Sequence, residues 1–401
     1  LSSEKLTSHT FGGDILAKIH SEKVNDNFEI SIEAKGQAKV DAIKSWQPVF
    51  IFKPITGDIE YSLDLGIKPV NRGGLSLTIN SELAGVNIDT PAPFGKAKED
   101  TVPFQLSVKS ARDMRLSFIY GDWANGVMVF DHGDLARGQI YLGTTQAYLP
   151  SDDGLKINGN LPVELNAKDW WELWHKIVPA KKAATTSGGA STSTESLLTH
   201  IDISAKNVNA WDTPMGASHI IGDYKWEQWE FNITSDLVKG NIILSDSGDP
   251  IELVLDYIHI PVGDELKDDS IKFGSNELKD SLQDIDPSLI PALDLKVEEI
   301  FSGTSNFGRW DLTIRQTPEF TQIHVNDALS KAFNIQGDIN WSLDDEGHKT
   351  HLELMRISSD NIGDSQRAFR MPAAIESEDA RFDIDMSWGG SPLKFNYETL
   401  N

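Results

Sequence analysis

Residues 104–120 read FQLSVKSARDMRLSFIY, and apolar side chains recur at every second position on both sides of a central polar stretch. An alternation with period two predicts β-strands, because successive side chains of a strand point to opposite faces. Polar residues fill the intervening positions, which favours antiparallel strands with one face in water over buried parallel strands. The alternating apolar positions are Phe104, Leu106, Val108, Met114, Leu116 and Phe118.

The same alternation returns along the whole chain and predicts a mainly β protein. Its further apolar positions are Leu75, Leu77, Ile79, Phe231, Ile233, Leu253, Leu255, Leu312, Ile314, Phe382, Ile384 and Met386. A chain of 401 residues is too long for one compact core, which predicts either several domains or one elongated body. Together with the alternation, this length leads us to expect an elongated, curved antiparallel sheet with a few short helices. The apolar faces either curl around a trough that holds something apolar or close against a second sheet as a sandwich core.

Composition excludes several classes of protein. The chain has 36 Lys and Arg against 61 Asp and Glu, a net charge of −25, and no run of basic residues that would bind nucleic acid. The absence of cysteine excludes a disulfide scaffold, a thiol nucleophile and any cysteine-ligated metal.

Two segments interrupt the strand pattern. Residues 179–196 are small and polar and predict a flexible linker, so we expect deletion of residues 180–196 to leave the fold unchanged. Residues 263–290 predict an acidic insertion with a short helix that begins near Asn276. The strand-rich segments are therefore 1–178, 197–262 and 291–401.

Helix signals are few. Asp169 is a candidate N-cap for a Trp-rich helix that Pro179 ends, over about residues 169–178. The third candidate, after those near Asp169 and Asn276, covers Asp327 to Phe333.

Catalytic and metal-binding motifs are weak. The Asp246-Ser247-Gly248 string resembles an aspartic protease motif, but that chemistry needs a second copy, and a hairpin turn is favoured. The offsets around Asp344 resemble a calcium loop that lacks its first ligand. His348 and His351 are an odd number of residues apart, which places them on opposite faces of a strand. We therefore expect no enzyme activity, no metal and no cofactor.

A non-catalytic β-sandwich array that scaffolds a cell envelope or binds glycans is the alternative to an apolar trough. A glycan binder presents exposed aromatic rings at strand edges, and four tryptophans keep this alternative open: Trp123, Trp211, Trp226 and Trp229.

An ordered series of segments resembles one family of large proteins. SELAGVNIDTPAPFGK at 81–96 resembles the glycine-led strand and proline turn of AsmA-like periplasmic proteins of the YhdP branch. Most of the chain shares this likeness, with residues 180–196 and 263–280 matching poorly. The remaining matching segments are 142–174, HIDISAKNVNAW at 200–211, PIELVLDYIHIP at 250–261, DPSLIPALDLKVEEI at 286–300, Gly308 with Trp310, Ile339 to Leu343, and MSWGGSPLKF at 386–395.

The resemblance implies a function that alternation alone does not. Proteins like these are bridge-like lipid transfer proteins, anchored in the inner membrane by an N-terminal helix, whose β-sheet forms an apolar groove of the repeating β-groove type. It implies a periplasmic location, phospholipid acyl chains as ligand, and contact with the inner and outer membranes through parts outside this chain. In that case the 18 alternating apolar residues line the groove.

Overall fold

A computed structural model describes residues 2–24, 27–46, 52–69, 73–177, 198–210, 213–260, 282–283, 285–303, 305–330, 333–368, 376–392, 394 and 399–400. These residues form 23 strands and three short α-helices, so the prediction of a mainly β fold is confirmed. The chain divides into a first unit, Leu1–Ile221, and a second unit, Gly222–Asn401. This boundary falls inside the predicted segment 197–262.

The first unit is built mostly from long strands joined by short turns. Its strands are β1 (Ser2–Thr10), β2 (Gly13–Val24), β3 (Asn27–Lys39), β4 (Ile55–Ile67), β5 (Leu75–Ser81), β6 (Val86–Ile88), β7 (Phe104–Ser110), β8 (Met114–Tyr120), β9 (Ala124–Asp131), β10 (Asp134–Leu142), β11 (Gly154–Asn166), β12 (Leu198–Ala210) and β13 (Thr213–Lys225), the last of which contains the unit boundary. Its helices are α1 (Val40–Trp46) and α2 (Ala167–Ile177).

The second unit repeats this construction. Its strands are β14 (Gln228–Thr234), β15 (Val238–Ser245), β16 (Ile251–Ile260), β17 (Leu293–Ser302), β18 (Ser305–Asn306), β19 (Arg309–Gln316), β20 (Thr321–Leu329), β21 (Asn334–Asp344), β22 (Gly347–Ser359) and β23 (Ala380–Gly389). It contains one α-helix among its described residues, α3 (Ile362–Ala368), and a 3₁₀ turn at Pro287–Leu289.

Antiparallel pairing joins most neighbouring strands, but three described pairs are parallel. They are β10 with β11, β11 with β12, and β16 with β17. The sequence analysis predicted an antiparallel sheet and did not predict these three parallel pairs. Parallel neighbours need a long crossover connection, whereas a two-residue turn is enough for antiparallel neighbours. The chain supplies long connections at all three steps: residues 143–153, 167–197 and 261–292.

The helix predictions had mixed outcomes. The Trp-rich segment near Asp169 is helical and forms α2, but Asp169 lies inside the first turn and is not the N-cap. Asn166 holds the cap position, where its side chain accepts from the Lys168 backbone N–H at 3.1 Å. The helix predicted from Asp327 to Phe333 is wrong: Asp327 and the next two residues continue β20, where Asp327 accepts a 2.8 Å hydrogen bond from Arg309 on β19. Pairing across the sheet outweighs local helix preference there. Most of the acidic insertion and all of the linker at 180–196 lie outside the described residues.

Two helices were missed by the sequence analysis. For α3, the signal was an Asn-x-x-Asp capping pattern: the Asn361 side chain accepts from the Asp364 backbone N–H at 3.2 Å and donates to the Asp364 carboxylate at 3.0 Å. The other, α1, follows β3 directly, and its first residue, Val40, is buried.

The parallel pairing of β11 with β12 changes what we expect from deletion of residues 180–196. Leu155 lies level with Leu198, and Asn166 lies level with Asn209, so the connection from Asn166 to Leu198 must return along about 36 Å of strand. After deletion, α2 spans about 16 Å. Residues 178, 179 and 197 add at most about 10 Å. With α2 kept helical, the shortened connection is too short to return.

We therefore expect deletion of residues 180–196 to disrupt either α2 or the pairing of β11 with β12, and to destabilise the first unit in both cases. Replacing the same residues with a Gly/Ser segment of equal length should preserve both, because the crossover then needs only length. Thermal unfolding followed by circular dichroism measures both variants. Equal midpoints for the deletion and the replacement would contradict the strand register.

Candidate functional site

The strand register of the first unit places its predicted apolar residues on one face of the sheet. Leu106 lies opposite Phe118, and Val108 lies opposite Leu116, so the face is preserved across the turn after Ser110. Residues directly opposite each other in neighbouring strands point to the same side of a sheet. The same side includes Phe104 and Met114, which alternate with these residues along β7 and β8. It also includes Leu75, Leu77 and Ile79 of β5, which pairs with β7.

This apolar face of the first unit is continuous across many strands. One row crosses seven consecutively paired strands, from β2 to β9, without a polar residue. Its members are Ile19, Ile32, Leu65, Leu77, Val108, Leu116 and Met128. The parallel steps continue the face, because Ile140 lies level with Ile157, and Ile157 with Ile201.

The second unit has an apolar face of the same kind. Phe231 lies opposite Ile242, which lies opposite Leu253, and Leu253 lies level with Leu295 on the parallel neighbour. A second row crosses the seven paired strands from β16 to β23, omitting β18. Its members are Ile251, Leu293, Ile314, Ile323, Ile339, Leu352 and Met386. Of the other predicted residues, Ile233 and Leu255 flank Gly240, Leu312 lies opposite Leu295, and Ile384 and Phe382 lie opposite Met355 and Ile357.

The apolar faces are only partly covered. Of the 18 predicted residues, Leu255 is buried, Phe382 is 46% exposed, and the other sixteen are half-buried. A second packed layer would bury such side chains almost completely, as in a sandwich core. Half-buried apolar rows therefore form a surface that is open to another apolar body.

The opposite face of the sheet is polar and carries side-chain hydrogen bonds between strands. Gln37 donates to Glu60 at 2.8 Å, and Gln105 donates to Asn80 at 2.8 Å. In the second unit, Lys239 forms a 2.9 Å ion pair with Asp256, which raises the pKa of Lys239. These contacts lie on the side opposite the apolar rows, so the strands that make them have one polar and one apolar side.

One part of the second unit's apolar face is filled by its own side chains. Val325, Ala328 and Met355 are buried in a cluster, and the predicted residues Leu312 and Ile384 pack against it. The remaining members are Phe333, Ile335, Phe307, Trp310, Ile339, Leu352 and Ile357. Here the strands enclose a local core.

A smaller buried cluster closes one end of the first unit's apolar face. Val40, Leu83 and Val86 are buried together, and Phe104 and Tyr120 pack against them. The Tyr120 hydroxyl donates to the Phe94 carbonyl at 2.9 Å, and burial raises the pKa of Tyr120. The segment 82–103 therefore caps the strand ends at this point.

The Trp-rich helix α2 reaches the same cap. Trp170 contacts Phe94 edge-to-face, with ring centroids 5.7 Å apart. Its indole nitrogen is buried and has no hydrogen-bond partner among the described residues. The side chains of the other two tryptophans of α2, Trp171 and Trp174, are not among those that the structure describes. Packing on the cap is the role that the structure supports for Trp170.

Lys96 holds the cap together and was not singled out by the sequence analysis. Its side chain is 5% exposed, and the ammonium donates to the carbonyls of Val86 and Ala97, each at 2.8 Å. Burial lowers the pKa of Lys96, and the nearby carboxylates of Asp100 and Glu99 act in the opposite direction. A buried lysine needs such acceptors, because its charge has lost water.

The motifs considered for catalysis or metal binding lie in or beside turns between strands. Asp246, Ser247 and Gly248 lie in the turn between β15 and β16. Asp344 pairs with Lys349 at 2.9 Å beside the β21–β22 turn, and hydrogen bonds lower the pKa of Asp344.

His348 and His351 lie on opposite faces of β22, as the spacing predicts, because the pairing with β21 has no register shift between them. The rings of His348 and Trp341 lie 5.6 Å apart, and His351 contacts Asp385 at 3.0 Å. The described residues contain no cluster of histidine and carboxylate side chains that would hold a metal ion. Within the same residues, no helix has the length and apolar character needed to cross a membrane.

Comparison with known protein families gives a match. The YhdP protein family matches residues 1–401. The chain belongs to the YhdP family. YhdP proteins are part of the AsmA-like group of bridge-like lipid transfer proteins, a non-catalytic group, and membership supports a lipid-transport type of function. No curated protein and no solved structure matches the chain.

We expect the Lys96→Met substitution to destabilise the first unit by about 1–3 kcal/mol, because the buried Val86 carbonyl and the partly buried Ala97 carbonyl lose their donor. Urea unfolding measures the loss. Lys98→Met is the matched control, since Lys98 is exposed in the same segment and should change stability little. A loss of similar size in both variants would show that Lys96 does not hold the cap.

Proposed function

We propose that this chain is a segment of a periplasmic bridge that conducts phospholipids between the inner and outer membranes. Acyl chains lie on the apolar faces, and headgroups stay in water. The observation that carries this proposal is the register, which aligns predicted apolar positions into continuous, half-buried rows. Membership in the YhdP family supports the same type of function.

The energetics favour such a surface. Moving an acyl chain through water exposes apolar area at about 0.8 kcal/mol per CH₂. A continuous apolar row removes most of that cost at every position along the path, so the chain can advance without a large barrier. No reacting group is needed, only apolar side chains at every second position.

The dimensions are compatible with acyl chains. One leaflet occupies half of a hydrocarbon core about 30 Å thick, so an acyl chain spans about 15 Å. Neighbouring strands are about 4.8 Å apart, and three steps across the sheet cover that length. The row from Ile19 to Met128 crosses seven strands and therefore exceeds the length of one acyl chain.

The acidic charge suits an exposed sheet of this size. With a net charge of −25, like molecules repel one another. Sheet edges and half-buried apolar rows otherwise favour aggregation. Anchorage in the inner membrane and contact with the outer membrane belong to the proposal.

The alternative is a non-catalytic scaffold or glycan-binding protein. The filled cluster around Met355 favours it for that part of the second unit, because a closed core holds no ligand. The tryptophans give glycan binding less support. Trp226 is 91% exposed at a turn, whereas Trp229 stacks on Phe231 and Trp123 is half-buried. Trp211 lies outside the described residues.

We expect Leu116→Asp to reduce the phospholipid that copurifies with residues 1–401 by at least about tenfold, since a carboxylate on the apolar row must be desolvated under an acyl chain. The measurement is mass spectrometry of an organic extract, expressed as lipid per protein. Circular dichroism checks that the variant is folded.

Ile119→Asp is the matched control. Ile119 is an aliphatic residue on the same strand, but it lies on the polar face and is 49% exposed. Equal lipid content in both folded variants would contradict the proposal. A wild-type protein without lipid, or a Leu116→Asp variant that unfolds, would favour the scaffold alternative.

A further inference from the structure

Three arginines line one open cleft in the first unit. The cleft has a volume of about 920 Å³, and Arg112, Arg115 and Arg137 contribute to its wall together with Val129 and Leu149. Gly73, Ala111 and Asp113 complete the lining. Three guanidinium groups at one place are unusual in a protein with a net charge of −25.

Strand register and a turn bring these arginines together. Arg115 on β8 lies opposite Val129 on β9, and Val129 lies opposite Arg137 on β10. Arg115 neighbours Leu116 on the same strand, so this row lies on the polar side, opposite the apolar face. Arg112 comes from the turn between β7 and β8.

The connection 143–153 contributes Leu149 to the wall of the cleft. It folds back over the polar side of β9 and β10, where the Tyr148 backbone N–H donates to the Gln139 side chain at 2.8 Å. The Ala147 backbone N–H donates to the Asn125 side chain at 2.6 Å. These contacts fix the position of Leu149 at the cleft and bury Gln139 and Val129.

The three guanidinium groups have no ion-pair or side-chain hydrogen-bond partner among the described residues. Carboxylates are abundant, and other arginines use them. The pairs are Arg309 with Asp327, Arg315 with Asp294, Arg356 with Asp383, and Arg367 with Asp364. The charges at the cleft are therefore left available for a ligand.

The local charge favours an anion. Asp113 supplies one carboxylate to the lining, so three positive charges and one negative charge leave an excess of two positive charges. Guanidinium groups repel one another unless an anion lies between them. Their planar forks match the oxygens of a phosphate group, to which they bind bidentately.

We propose that this cleft binds a phosphate group, carried either by a lipid headgroup or by a soluble phosphate. The site lies on the polar side of the sheet and does not depend on acyl chains occupying the apolar face. Its existence is therefore separate from the lipid-conducting function.

Isothermal titration calorimetry of residues 1–401 tests the site with two probes, inorganic phosphate and dihexanoylphosphatidylglycerol below its micelle concentration. We expect saturable binding that weakens between 50 and 200 mM NaCl, as for other charge-driven contacts. Replacing all three arginines by glutamine should weaken it by at least about tenfold. Arg381→Gln, an exposed arginine on β23, is the control and should bind as the wild type does.

The two probes distinguish the sources of the phosphate group. Tighter binding of the lipid assigns the site to headgroups, and binding of phosphate alone assigns it to a soluble anion. If the triple variant does not fold, Arg115→Gln and Arg137→Gln are measured singly, each with an expected loss of several-fold. No saturable binding of either probe to the wild type, or unchanged affinity in folded variants, overturns the proposal.

Discussion

The two-residue period of the β-strand, kept in register from strand to strand, is the constraint on which both units depend. A slip of one residue between two strands would turn every side chain of one strand to the other face. Leu77, Val108 and Leu116 would then meet polar neighbours, and the continuous rows would be broken. The same register that folds the sheet therefore also makes its functional surface.

The two units use similar rows differently. In the first unit, the buried cluster of Val40, Leu83 and Val86 lies at strand ends. The apolar rows away from this cluster stay half-buried. In the second unit, Phe333 and Met355 belong to a core that fills part of the face. Buried side chains stabilise a fold through the apolar area that they remove from water, whereas half-buried rows retain part of that area for a ligand.

Alternation was sufficient to predict the strand-rich fold and which apolar residues share a side within one strand, because both follow from local geometry. Whether that side is kept from one strand to the next depends on the register across each turn. Alternation did not reveal the parallel steps, since the level pairing of Leu155 with Leu198 depends on a long connection and leaves no local pattern. Nor did it reveal the arginine cleft. The pair Arg112 and Arg115 was visible in the sequence, but Arg137 joins them only through the register of β8, β9 and β10. The role of Lys96 could not be predicted for the same reason. Its acceptor, the Val86 carbonyl, comes close only when the segment 82–103 folds.

The parallel steps also set the order in which the chain can fold during synthesis. Antiparallel partners such as Ser110 and Met114 are close in sequence and can pair as soon as both are made. The edge of β11 must wait until the connection 167–197 has been synthesised before β12 can cover it. At about 5–20 residues per second, that edge is unpaired for roughly 2–6 s. During this interval β11 presents free backbone groups beside an apolar row, so a nascent chain at this stage is a natural client for chaperones.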